Sequence, residues 1–280
     1  MGRVAIVTDS TADLPAALVA QYNISVVPLS VVFDDKTYDE GVDITSERFL
    51  ELLQSAPTLP TTAHPPATRF EELYRSLAES HNEVVSVHIS SRLSGTMGSA
   101  EVAAAAVAGV IPVHVVDSLS SSLALGFQTI LATELAEGGM PAAKIAERLR
   151  ADTGSYEAVF FPETLEYLQR GGRVGKAQAL LGSVLSLKPI LRIDEGLIVP
   201  YERTRTRSRA MNGLLEFVQD IDHVTRIGVM HSGDLAGAQA LAARLHQLTP
   251  DTEVMITLFG CVLLTHLGPG AMGVAVRADR

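Results

Sequence analysis

The chain has no tryptophan, a single cysteine in 280 residues, and aromatic side chains at only 5% of positions. Its core must therefore be built from aliphatic side chains, alanine and glycine, a composition that suits layered α/β packing. The lone thiol, Cys261, excludes an internal disulfide and any zinc site made of cysteine pairs, and its apolar setting at residues 259–264 reads as an inert buried thiol. Cationic residues are scarce as well. Against 32 Asp and Glu there are 22 Lys and Arg, a net charge of −10 that repels a phosphate backbone and argues against nucleic acid as a partner. No apolar run reaches the ~18 residues of a membrane span, and the opening run at residues 4–7 is too short for the core of a signal peptide. The expectation is a cytoplasmic protein whose contact with membranes is at most transient.

What is present is apolar substance: 47% hydrophobic residues and a mean hydropathy of +0.23, enough for one large domain or two ordinary ones. In the first half, β-branched runs at 3–8, 83–89 and 112–117 each end in polar residues and precede a helical pattern, which is the signature of a parallel sheet. Between them the sequence predicts a strand over 24–33 that contains Pro28, a turn at Asp34-Asp35-Lys36, a helix over 47–54, a proline-rich loop over 56–66 and a helix over 67–79. After Gly154 strands are expected at 157–161, 188–193, 197–202, 225–230, 253–259 and 271–277, with helices near 164–170, 177–187, 205–218 and 235–248. Asp194-Glu195-Gly196 joins two of these strands as a hairpin, so the second sheet should be mixed or antiparallel. The fold class that follows is α/β with two domains: a parallel-sheet α/β domain over 1–155 and an α+β domain over 156–280, residues 60–80 being free to pack with the second.

Several familiar chemistries fail on spacing. GPGAMG, residues 268–273, has the glycine spacing of a dinucleotide fingerprint, but only seven residues follow it where a helix and an acidic partner are required. GGRVGKA, residues 171–177, lacks the first glycine and the Ser/Thr of a phosphate loop and reads better as a loop closing the helix before it. The eight histidines show neither HxH nor HxxxH, so no metal site is expected, and no serine has the G-x-S-x-G setting of a hydrolase elbow. No cofactor is called for.

The dense signal is ISSRLSGTMGSA, residues 89–100, which leaves a predicted parallel strand and opens a helix. Ser94, Gly95 and Thr96 there combine hydroxyls, approachable amides and the positive end of a helix, an anion site at the sheet edge where open α/β folds place ligands. An equally good reading is that Ser94 or Thr96 simply caps the helix. Asp9, Asp13 and Asp117 end neighbouring strands in hydroxyl-rich loops and are expected to support that edge rather than act on a ligand.

At these residues the chain resembles the DegV family of bacterial fatty-acid-binding proteins. The resemblance runs through DSTADLP (residues 9–15), PTTAHPP (60–66), ISSRLSGTMGSA, VVDS with Gly126, LEYLQRGGR (165–173), KPIL (188–191), TRTRSRA (204–210) and HLGPGAMG (266–273). It implies a long-chain fatty acid such as palmitate between two α/β domains, its carboxylate held by Thr62, Ser94 and the 94–96 loop, with His266 beside it. It also implies a non-catalytic role: the bound acid is presented to a separate ATP-dependent fatty acid kinase that makes acyl phosphate, with Arg203, Arg205 and Arg207 facing that partner. The chain departs from the family pattern after Thr62, where Ala63-His64-Pro65-Pro66 replaces Ser-Gln-Pro-Ser. Burying about fifteen carbons at roughly 0.8 kcal/mol each would give on the order of 12 kcal/mol before entropy costs, so the tail should dominate affinity. Two rivals stand beside this reading: a Ser94/His266 acyl hydrolase, and a carrier of another small anion.

Overall fold

The structure, a computed structural model, describes residues 3–33, 35–55, 58–180 and 187–279. Strands β1 (Val4–Asp9), β2 (Ser25–Val27), β6 (Glu83–His88) and β7 (Val113–Asp117) form a parallel sheet in the order β2-β1-β6-β7, while β3 (Ser30–Phe33), β4 (Lys36–Asp39) and β5 (Thr61–Ala63) form a small antiparallel sheet in the order β4-β3-β5. β1 and β6 are buried on both faces, as their near-continuous β-branched runs require. The helices of this half are α1 (Ala16–Gln21), α2 (Ser46–Ser55), α3 (Ala67–Leu77), α4 (Thr96–Ala106), α5 (Ser122–Glu137) and α6 (Ala142–Ala151). One face of the parallel sheet is covered by α3 and α4, whose Phe70, Tyr74, Ala100 and Ala103 meet Ala5, Val7 and Val84.

From Tyr156 onward, β8 (Tyr156–Phe161), β9 (Ile190–Asp194), β10 (Leu197–Glu202), β11 (Val224–His231), β12 (Val254–Leu258) and β13 (Met272–Ala278) build the second of the two large sheets in the order β10-β9-β8-β13-β11-β12. Only β11 and β12 pair in parallel, so the sheet is mixed as expected. Glu195 and Gly196, both at positive φ, make the tight β9–β10 turn. The helices here are α7 (Glu166–Arg170), α8 (Arg207–Gln219), α9 (Leu235–Leu248) and α10 (Cys261–Leu267). α8 and α9 cover the outer face with Leu214, Phe217, Leu241 and Leu245. The inner face is covered by α5, which lies between the two sheets, packed on β1 and β6 at one side and on β8, β11 and β13 at the other. That placement explains why every residue from Ser122 to Thr133 is buried: a helix between two sheets has no solvent face.

Four expectations need correction. Residues 24–33 are two strands, not one: Pro28 carries no N–H for a ladder, and after it the chain leaves the parallel sheet and starts β3. The proline-rich loop over 56–66 contains β5, a three-residue edge strand too short to show a period. The helix expected over 177–187 is a 3-10 turn at Gly175–Leu180, and residues 181–186 lie outside the described residues. α10 was not foreseen at all, because its CVLLTHL run is buried nearly all round and has no amphipathic period.

Candidate functional site

A cavity of about 850 Å³, measured out to its mouth, lies between the two large sheets. Its walls are aliphatic and aromatic: Ile89 from the end of β6, Ala158 and Phe160 from β8, Ile198 from β10, Met230 from β11 and Val262 from α10. Ala158 and Phe160 stand at alternate positions of β8 and share a face, while Val159 and Phe161 point into the opposite core. The polar lining comprises Thr62, His64, Ser94, Ser121, Ser122, Arg173 and His266, and none of the described lining residues is acidic.

Three of the residues singled out from the sequence meet there. Thr62 sits on β5, Ser94 in the loop between β6 and α4, and His266 near the end of α10; Thr62 Oγ1 and His266 Nε2 are 3.1 Å apart. The other ring nitrogen of His266, Nδ1, is buried with no hydrogen-bond partner. It rests on Gly171, where a Cβ would come within 2.1 Å of Nδ1, so the glycine turn after α7 is what lets the imidazole in. Burial, with the nearby Arg173 guanidinium adding to it, pushes the His266 imidazole down to about 4, so the ring is neutral at physiological pH. A neutral ring with its proton on Nε2 donates to Thr62 and leaves Nδ1 a bare acceptor, whereas the other tautomer would bury an unpaired N–H. The Thr62 hydroxyl hydrogen is then available to the cavity, and His266 acts through Thr62.

Ser94 has two roles at once. Its Oγ lies 2.9 Å from Thr96 Oγ1 and accepts from the Thr96 amide at 3.3 Å, a local turn that leads into α4 through its N-cap Gly95, and it also lines the cavity. Gly95 and Thr96 stand behind it at the start of α4, outside the lining; Thr96 is fully buried. The Ser94/His266 hydrolase has no geometry to support it: Ser94 is bonded to Thr96 and His266 to Thr62.

The strand-end aspartates hold this arrangement in place. Asp9 accepts from the Ile89 amide at 2.9 Å and lies 3.0 Å from His88 Nδ1, fixing the point where the chain leaves β6 toward Ser94. Asp117 accepts from the amides of Ser91 and Leu119. Asp13 accepts from Ser122 Oγ at 2.5 Å and from the Gly260 amide at 3.0 Å, and Glu40 accepts from the Val262 amide at 3.0 Å, so two buried carboxyls pin the start of α5 and the start of α10. Burial and their mutual repulsion raise Asp13 well above the usual carboxylate range, and burial raises Glu40.

Sequence reasoning passed over Arg173 as a site residue. Its guanidinium reaches from the glycine turn to the Leu93 carbonyl at 3.1 Å and the Gly171 carbonyl at 2.8 Å, bridging the two loops that flank the polar end; the signal was its place in LEYLQRGGR. Arg203 and Arg205 are exposed. Arg207 is turned inward, bonded to the Gly270 carbonyl and to Asp234 at 2.7 Å, with its guanidinium over the Phe161 ring.

Fold and site together define an α/β protein with two large sheets and a small antiparallel one, and a largely apolar cavity whose polar lining offers, among the described residues, hydroxyls, imidazoles and the Arg173 guanidinium. The chain belongs to the DegV family: residues 3–279 match the family model described as "Uncharacterised protein, DegV family". It is 41% identical to a DegV domain-containing protein of Streptomyces coelicolor over 98% of each chain. Among solved structures it is similar to the crystal structure of DegV from Bacillus subtilis, described as a fatty acid binding protein, with a TM-score of 0.91 and 36% identity over 100% of both chains. A DegV family protein of Thermus thermophilus, described for its fatty acid binding, superposes with a TM-score of 0.91 at 33% identity over 99% of this chain and 100% of that one.

Proposed function

We propose that this chain binds one long-chain fatty acid in the cavity between its sheets, carboxylate toward Thr62 and Ser94, and presents it to a separate ATP-dependent fatty acid kinase in the cytoplasm. The observation that carries the reading is the division of the cavity: apolar walls along its length, and hydroxyls, a neutral imidazole and a guanidinium gathered at one end without a single acid among the described lining residues. A carboxylate finds donors there, and an acyl chain finds apolar walls that a compact anion would not use. The fatty acid binding described for the Bacillus and Thermus proteins supports the same ligand class. The exposed guanidinium groups of Arg203 and Arg205 are the candidate contacts for the kinase, with Arg207 shaping their loop from below. The test is to titrate delipidated protein with palmitate and with its methyl ester, then add a fatty acid kinase and ATP. The acid should bind at least tenfold more tightly than the ester and be converted to acyl phosphate. Equal binding of acid and ester would remove the carboxylate from the polar end, and tight binding without conversion would remove the kinase from the reading.

A further inference from the structure

At the polar end of the cavity one side chain has no task in the bonding described so far. His64 follows β5 directly, is exposed, and lines the cavity with Thr62 and Ser94. Its backbone is held: Pro65 restricts the residue before it to extended conformations, and Pro66 stands at the N-cap of α3. The imidazole lies against Gly95. A Cβ built on Gly95 would be 3.0, 3.1 and 3.2 Å from His64 Cε1, Nδ1 and Nε2, three ring atoms at nearly one distance, as when a ring lies with its face over the α-carbon. Gly95 has φ −75°, which any residue adopts, so a side chain here would be resisted by the ring, which a Cβ would push by a few tenths of an ångström, and not by the backbone.

We infer that His64 is a latch on the carboxylate end of the cavity: its ring, swinging on a backbone fixed by two prolines, closes over Gly95 and sets how fast a fatty acid enters and leaves. The inference rests on the fatty-acid reading above. The ring reaches from the end of β5, on the small antiparallel sheet, to the loop that opens α4 beside the parallel sheet, so it spans two separately built parts of the cavity rim. Among the described bonds Thr62 and His266 pair with each other and Ser94 with Thr96, none with His64, so its removal should change rates more than equilibrium affinity. Gly95 supplies the internal control, since a methyl there leaves the amide in place and acts only by lifting the ring.

The experiment measures uptake and release of a fluorescent long-chain fatty acid, release being followed by chase with excess unlabelled oleate, for wild type, His64→Ala, Gly95→Ala and the double variant. His64→Ala should speed both uptake and release at least fivefold while the dissociation constant moves less than threefold. Gly95→Ala should speed exchange to a similar degree, and in the double variant the two effects should not multiply, the rate staying within twofold of His64→Ala. If His64→Ala exchanges at the wild-type rate, or if the two effects multiply, the latch is wrong while fatty acid binding stands. If wild type takes up no fatty acid, the functional reading falls and the latch with it.

Discussion

At the polar end of the cavity, Thr62, Ser94 and His266 come from an edge strand, a loop and the last turn of a short helix, each fixed by bonds to other parts of the chain. At the apolar end, the wall is made by residues such as Ala158, Phe160, Ile198 and Met230, which do nothing there beyond what strand residues facing a core do anywhere. The first arrangement concentrates its effect in a few hydrogen bonds; the second spreads it over area. A carboxylate bond is worth roughly 1.5 to 3 kcal/mol, whereas each buried methylene adds about 0.8 kcal/mol, so for the proposed fatty acid the plain end would outweigh the elaborate one in affinity while the elaborate end would decide orientation.

The largest effect should come from the apolar end. Ala158→Phe places a ring in the slot and displaces about five methylenes, roughly 4 kcal/mol or a thousandfold loss of fatty acid affinity, with the ligand-free melt little changed because the ring fills existing space. Titration and thermal melts together check this; unaltered affinity would mean the tail runs elsewhere. At the polar end, Ser94→Ala should weaken binding about ten- to a hundredfold. A serine that only caps α4 would behave otherwise, lowering stability by about 1 kcal/mol and leaving affinity alone.

A third prediction separates the ends by pH. His266 has its folded value lowered to about 4, below the ordinary histidine value, so it stabilises the fold fully above pH 6.5 and loses that contribution as the pH falls toward 4. Between pH 7 and 5 this amounts to about 2 kcal/mol of ligand-free stability. Asp13 and Glu40 are raised and so act in the opposite sense, favouring the fold as they protonate. The difference between wild type and His266→Gln isolates the histidine: the loss of melting temperature on acidification should be smaller in the variant, and parallel pH profiles would contradict the buried neutral imidazole. The smallest effect is expected for Thr62→Val, about tenfold in affinity, measured in the same titration, because it removes a single donor and leaves the slot intact.

The same contrast explains what could be read from the sequence. β1 and β6 were legible because a strand buried on both faces leaves a continuous β-branched run, β7 because its half-buried edge strand keeps the same valine-rich run, and the β9–β10 hairpin because Glu195-Gly196 suits a tight turn. Ser94 stood out because hydroxyls and glycines at a strand-to-helix junction are unusual in number; Thr62 and His266 entered through the family resemblance, since nothing local marks them. The tail lining was illegible. Ala158 and Phe160 alternate with Val159 and Phe161 in a strand apolar on both faces, and no pattern tells a face that meets a cavity from one that meets a core. α10, which carries His266, escaped for a related reason: held at its start by Asp13 and Glu40, it is defined by tertiary bonds rather than by a period of its own.

Under the proposed function the space between the sheets is an acyl slot with its polar end at Thr62 and Ser94. The most direct measurement is mass spectrometry of protein purified from a bacterial host, first intact under native conditions and then after denaturation and extraction. The expected result is one equivalent of fatty acid of about 14 to 18 carbons, lost in Ala158→Phe. Protein that emerges lipid-free and still takes up no added palmitate would contradict it.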